Sequence, residues 1–351
     1  MTPRTLMLVS ASVDARLRAQ VRADLRPRPE YLVLESEYGV DLLDWTRLPG
    51  AGRGRSRWRS AVHAAAALKA LNGHDVLFSD GEHVGIPLAL AMHTLGLKTP
   101  HLVIGHHLTT ESKTRFLRTL HAHSGMSRIL VHSSRQRELA QRTLGIPAEK
   151  LVYMPYYADT DFWRPQNGSA TEPLVVAAGR EHRDYATLAA ASAGLEARVY
   201  VAAGSVHSPA ASSSNPGRWP DNVECGFADY QTLRDLYRRA SVVVVPLVDS
   251  DFQAGVTTVL EAMAMGKPTV VTRTRGHAGV VHDGITGLCV APNDPAEMRE
   301  ALEYLLAHPA ERRRIGDAAR EAAVTCYSLE AYAGNLADHI ADLAAATRAA
   351  A

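Results

Sequence analysis

The sequence predicts an α/β protein of two domains, each a parallel sheet covered by helices. Three observations carry this. The chain has 351 residues, enough for two domains at roughly 100–200 residues each. Short apolar runs alternate with helix-period segments along it, the pattern of a helix-covered parallel sheet. One stretch, 165–173 (Pro-Gln-Asn-Gly-Ser-Ala-Thr-Glu-Pro), is rich in turn formers and separates two such series.

Taken in order, the first series places buried strands at 6–9, 31–34, 76–79, 101–104 and 128–132. Helical segments lie between them, at 60–71, 86–95 and 135–144. The second series places strands at 174–178, 198–202, 241–246, 269–272 and 288–290. Residues 205–220 read as a Ser/Pro-rich surface loop. A last helix runs from Leu329 to about Leu343. The expected division is a first Rossmann-like domain over 1–163, a second over 164–327 and a closing helical segment over 328–351.

Bulk properties exclude several classes. A net charge of +1 argues against a nucleic-acid binder or an acidic tail protein. Three cysteines, Cys225, Cys289 and Cys326, are odd in number and lack metal-ligand spacing, which favours a reducing compartment over a disulfide framework. The N-terminal apolar run is short and reads as a first strand rather than a signal peptide. No stretch approaches the roughly 20 apolar residues of a membrane span, so a cytoplasmic protein is expected. Composition leaves the oligomeric state open.

The most informative segment runs from Gln253 to Pro268. It reads as a loop, a short helix and a stop, with Gly266 placed for a left-handed cap and Pro268 blocking continuation. Val256, Leu260 and Met263 follow helical spacing and form its buried stripe. Gln253, Thr257 and Glu261 recur every four residues on another face. A polar stripe at a helix start, beside free N–H groups and a favourable dipole, suits a ligand carrying phosphate and hydroxyls.

This segment resembles the signature of the family 4 (GT4) glycosyltransferases, retaining enzymes of the GT-B architecture. That signature is two acids with seven residues between them, followed by Ala-Met-Ala-x-Gly-x-Pro. Here Glu261 is the second acid and Ala262-Met263-Ala264-Met265-Gly266-Lys267-Pro268 matches the tail, while Gln253 replaces the first acid. Other landmarks follow in the family's order. They are Val131-His132-Ser133-Ser134, the segment Gly145 to Pro155, Asp159-Thr160-Asp161-Phe162, Val176-Ala177-Ala178-Gly179-Arg180, Asn222 to Gly226, Ala240 to Pro246, and His282 to Gly287. The resemblance covers the last two thirds of the chain firmly and the first third loosely. It implies two Rossmann-like domains facing each other across an interdomain cleft, with the closing helix returning to the first domain. It also implies transfer of a sugar from a nucleotide-sugar donor, UDP-linked by family frequency, to an acceptor hydroxyl with retained anomeric configuration.

The resemblance assigns roles by residue. Arg180 and Arg183, after the Gly179 turn, would bind the donor's phosphates. Arginine can hold two phosphate oxygens and stabilises charge as the diphosphate leaves. Unaided by the resemblance, the pair also reads as an ordinary ion-pair cluster with Glu181 and Asp184. Glu261 would take the ribose hydroxyls, since a carboxylate accepts from two neighbouring hydroxyls together. Gly255, Val256, Thr257 and Thr258 form the helix start that meets the phosphates, and Phe227 would frame the base. Gln253 stands where the family uses an acid to hold donor-sugar hydroxyls; an amide still donates and accepts but carries no charge.

Among 16 histidines, His106 and His107 follow a predicted strand at the carboxyl edge where α/β clefts open. In the family a histidine here faces the donor sugar, and His106 is preferred with His107 second. Adjacent histidines point apart and no third ligand has suitable spacing, so no metal and no cofactor beyond the donor is expected. His121 and His123 read as solvated. In place of the family's glycine pair after the first strand stands Ser10-Ala-Ser-Val-Asp14, where Ser12 or Asp14 would touch the acceptor or cap a helix. The basic cluster from Arg53 to Arg59 reads as a loop near the acceptor entrance, with contact to an acidic membrane as the lesser alternative. Two other functions share the donor site: a GT-B nucleotide-sugar epimerase, and a non-catalytic sugar-nucleotide-binding protein. The acceptor is not readable from one sequence.

Overall fold

The computed structural model describes residues 2–48, 56–166, 172–204, 217–277 and 279–350. The chain divides into two compact units. Unit 1 comprises 1–22, 28–155 and 332–351, and unit 2 comprises 23–27 and 156–331. The chain therefore changes unit at Pro155/Tyr156, and the turn-rich segment at 165–173 lies within unit 2.

In unit 1 the order is β1 (Thr5–Leu8), α1 (Ala15–Arg22), α2 (Glu30–Tyr38), β2 (Asp41–Leu43), α3 (Ser56–Ala70), β3 (Val76–Ser79), α4 (Glu82–Thr94), β4 (His101–Gly105), α5 (Glu111–Thr114), β5 (Arg128–Val131), α6 (Ser134–Leu144) and β6 (Leu151–Tyr153). The sheet is six-stranded and parallel, in the order β2-β1-β3-β4-β5-β6. β1, β3 and β4 are wholly buried, as the unbroken apolar runs require when helices cover both faces.

Unit 2 repeats the plan with β7 (Leu174–Ala178), α7 (Tyr185–Ser192), β8 (Arg198–Gly204), β9 (Val223–Phe227), α8 (Tyr230–Arg239), β10 (Val242–Val245), α9 (Val256–Ala264), β11 (Thr269–Thr272), β12 (Leu288–Val290), α10 (Pro295–Ala307) and α11 (Pro309–Cys326). Its parallel sheet runs β12-β11-β10-β7-β8-β9. The final helix, α12 (Leu329–Ala350), carries the chain back into unit 1 from residue 332. There Tyr332, Leu336 and Ile340 are buried and Arg128 reaches His339 Nδ1 at 2.8 Å. No helix among the described residues is long and apolar enough to cross a membrane.

One predicted strand is a helix. Residues 31–34 lie inside α2, and the sheet position beside β1 goes instead to the three-residue β2, with Leu6 opposite Asp41. A four-residue apolar run fits a buried strand or one turn of buried helix equally. The flanks decide it. Pro29 enters in an extended conformation, Glu30 sits in the first turn, and Gly39 at φ 65° closes the helix by donating to the Leu34 carbonyl. The segment 205–216 falls outside the described residues, as do Arg53 and Arg55 of the basic cluster. Arg59, at the cluster's end, lies over the Trp45 ring at 4.7 Å.

Candidate functional site

In open α/β sheets a ligand crevice forms at the carboxyl ends of the strands where the strand order reverses. In unit 2 that point lies between β7 and β10, because the chain leaves β7 for β8 on one side and returns to β10 on the other. The two segments leaving these strands hold nearly all the predicted donor residues. They are tied together: Asp184 N donates to Pro246 O at 3.1 Å, Val248 N donates to His182 O at 3.0 Å, and Arg183 bridges to Leu247.

β7 ends in Gly179 at φ 96°, and a Cβ there would lie 2.4 Å from the Arg183 guanidinium, so only glycine fits the turn. Arg183 is buried at 4% exposure. Its Nε donates to Ala178 O (2.9 Å), one terminal nitrogen to Glu181 O (2.8 Å) and the other to Thr258 Oγ1 (3.1 Å). The side chain thus ties the β7 turn to the first turn of α9, which sets aside the alternative of a surface ion-pair cluster with Glu181 and Asp184. Asp184 is engaged elsewhere, capping α7 through Thr187 N at 3.1 Å. Arg180, half-buried, follows Gly179 directly.

α9 begins at Gly255, whose φ of 74° turns the chain into the helix; a Cβ here would meet Val245 at 2.7 Å. Val256 is half-buried, Thr257 exposed and Thr258 buried. Just before the helix, the Gln253 side-chain nitrogen is buried without a hydrogen-bond partner. Glu261 retains some solvent contact as a residue, yet its carboxyl group is desolvated. Burial pushes its pKa up to about 8, against the Tyr237 hydrogen bond and the Arg183 charge. Tyr237, fully buried, donates to Glu261 Oε2 at 3.4 Å. The far end of the helix is pinned by Arg320, which donates to Ala264 O at 2.7 Å and to Thr160 O and Trp163 O at 3.1 Å each. A cation on the last carbonyls also suits the helix dipole. Phe227 ends β9 at 61% exposure and is no core aromatic.

In unit 1 the strand order reverses between β1 and β3. Ser10, after β1, donates through N (2.6 Å) and Oγ (2.7 Å) to Asp80 Oδ2, after β3. Asp80 Oδ1 is buried and unpartnered, and burial raises this carboxyl to about 7 despite the Ser10 bonds. His106, exposed after β4, donates from Nε2 to Asp80 O at 2.9 Å and faces the buried His132 ring at 5.5 Å. His107 is half-buried. Asp14 accepts from Leu17 N at 2.8 Å, the helix-capping alternative. His123 is buried, not solvated, and its carbonyl accepts from Lys150 Nζ at 3.0 Å. The sequence reading overlooked Asp80, Glu82 and Tyr237. The first two carried a signal, an acid-Gly-acid run at the carboxyl end of a buried strand; Tyr237 looked like any core aromatic.

The Glycosyl transferases group 1 family profile matches residues 172–308, the span containing the β7 turn, the β10 loop and α9. Residues 172–308 are a glycosyl transferases group 1 domain. The alpha-D-kanosaminyltransferase of Streptomyces kanamyceticus is 25% identical over 274 residues, covering 72% of this chain and 70% of that one. A D-inositol 3-phosphate glycosyltransferase of Nocardiopsis dassonvillei is 36% identical over 95 residues, which is 27% of this chain and only 21% of that protein. Among solved structures, sucrose-phosphate synthase from Thermosynechococcus elongatus superposes with a TM-score of 0.74 at 19% identity, over 98% of this chain and all of that one. HepE of Anabaena, solved with UDP and glucose, gives 0.68 at 14% identity over 97% and 99%. The fold is that of the GT-B glycosyltransferases. Within the glycosyltransferase domain, the β7 turn, the β10 loop and the start of α9 form the candidate donor site.

Proposed function

We propose that this chain is a retaining family 4 glycosyltransferase, moving a sugar from a nucleotide-sugar donor, UDP-linked, to an acceptor hydroxyl. The observation that carries this reading is the buried Gln253 amide nitrogen, left without a partner at the mouth of α9. Buried polar groups are almost always hydrogen-bonded, so an orphan beside a helix N-terminus marks a place where a ligand completes the bonding. The α9 amides and Arg180 are assigned to the diphosphate, Glu261 to the ribose, and Gln253 and His106 to the donor sugar. Arg183 serves the same phosphates by fixing the turn that presents Arg180. The leaving oxygen then takes the acceptor's proton, and preorganised positive charge around it is the main catalytic term. The reading needs no metal. UDP is supported by HepE, which was solved with UDP and with UDP-glucose.

A panel of UDP-, GDP- and dTDP-sugars tests the reading, with nucleoside diphosphate release followed with and without acceptor hydroxyls. Acceptor-dependent release supports transfer. Interconversion without release would indicate epimerisation, and binding alone a non-catalytic protein. Product NMR decides stereochemistry, and an inverted anomeric centre would remove the family 4 placement. The Gln253→Ala variant is expected to lose about 10-fold or more in kcat/KM for the intact donor, the scale of one lost hydrogen bond. Nucleoside diphosphate affinity should stay within about twofold. Equal losses for both ligands would place Gln253 on the phosphates or outside the site.

A further inference from the structure

Glu82 opens α4 and is 3% exposed, unusual for an acid. Its two oxygens collect one loop. Oε2 accepts from His106 N at 2.9 Å, and Oε1 accepts from His107 N at 3.3 Å and from Lys113 Nζ. Lys113 closes the circuit by donating to His107 O at 3.0 Å. The His106 ring is meanwhile tied to Asp80 O at 2.9 Å, two residues before Glu82. Both the backbone and the imidazole of His106 are thus referred to the short segment that joins β3 to α4.

We infer that Glu82 is the positioning residue for His106: the Glu82–Lys113 pair clamps the 106–107 turn and thereby sets where the imidazole stands. The inference rests on the reading that His106 meets the donor sugar. A buried ion pair is a weak source of stability, because desolvation offsets most of the attraction. Two charges converging on two successive N–H groups and the carbonyl that follows them specify a geometry instead. Displacement of a reacting contact by about 1 Å can cost on the order of 100-fold in rate. Burial alone would raise the Glu82 carboxyl; the charges of His106 and Lys113, with the Lys113 hydrogen bond, hold it down at about 2. The Glu82 carboxyl is therefore held in its ionised form.

The test uses the full chain and two readouts. In Glu82→Gln, amide hydrogen exchange in peptides spanning 104–113 should accelerate about 10-fold or more. Turnover is followed on whichever of UDP-glucose, GDP-mannose and dTDP-glucose the wild type consumes. There kcat should fall about 10–100-fold, with donor KM within about threefold. In a His106→Ala background, Glu82→Gln should cost less than about twofold further, because its route of action is gone. A Glu82→Gln/Lys113→Gln variant, which leaves no half-buried ammonium unpaired, gives the same exchange readout if the single variant folds poorly. Unchanged exchange overturns the clamp, whatever the activity. Equal kcat losses in both backgrounds would show that Glu82 does not act through His106. Full activity of His106→Ala alone removes the assignment on which the inference stands. If the wild type consumes none of the three donors, the functional reading fails and the exchange experiment still decides the clamp.

Discussion

Replacing Arg180 by alanine is expected to lower turnover at saturating donor by about 10²–10³, the scale for losing one preorganised donor to developing negative charge. Thermal stability should change little, because Arg180 is only half-buried at the end of the Gly179 turn. Arg183→Ala provides the contrast. Its guanidinium is buried on Ala178 O, Glu181 O and Thr258 Oγ1, so truncation strands several acceptors and should destabilise the fold by about 1–3 kcal/mol. Its turnover loss would then accompany a lowered Tm, whereas that of Arg180→Ala would not. Near-normal turnover by the Arg180 variant at saturating donor would show that this charge is structural and that the leaving group is stabilised elsewhere.

The second large effect concerns Glu261. Glu261→Ala is expected to weaken nucleoside diphosphate binding by about 10–100-fold, since hydrogen bonds to a charged group are worth roughly 1.5–3 kcal/mol. Affinity should also depend on pH. With a pKa of about 8, the carboxyl is largely protonated at neutral pH in the unliganded protein. A ribose held by the ionised form requires that proton to leave, so affinity should rise with pH and level off above about 8. Titration calorimetry of UDP between pH 7 and 9, in buffers of different ionisation enthalpy, would read the released proton. Glu261→Gln should show neither the slope nor the release, and identical pH profiles for the two proteins would remove Glu261 from the ribose. The unliganded fold responds in the opposite sense. This pKa is raised above its unfolded value near 4.5, so the contribution is complete below that value and lost as pH rises through about 8.

Much of this site was legible because glycine and proline punctuate it. Gly266 does adopt φ 67°, and α9 ends where Gly266 and Pro268 said it would. β3, β7 and β11 fall where the sequence placed them, since strands buried on both faces have no polar alternation to confuse. What escaped was direction. Arg183 sits at its expected place in the chain, but nothing in the residue order says that a guanidinium folds back over a glycine onto Thr258. Glu82 was overlooked altogether, and only the packing of β3 against β4 shows that it is buried under the 106–107 turn. The α2 error has a different origin: the run Tyr31 to Leu34 fits either element, and the flanking Pro29, Glu30 and Gly39, which settle it as a helix, were passed over.

The division of the chain has a consequence for how the protein is made. Unit 1 includes 332–351, so its last element is translated only after all of unit 2. Until α12 emerges, the surface that receives Tyr332, Ala333, Leu336 and Ile340 has no cover, and Arg128 lacks its His339 partner. Vectorial synthesis therefore completes unit 2 first, although unit 1 begins first. The nascent N-terminal unit must wait, with apolar surface open to holdase chaperones, for the closing helix to arrive.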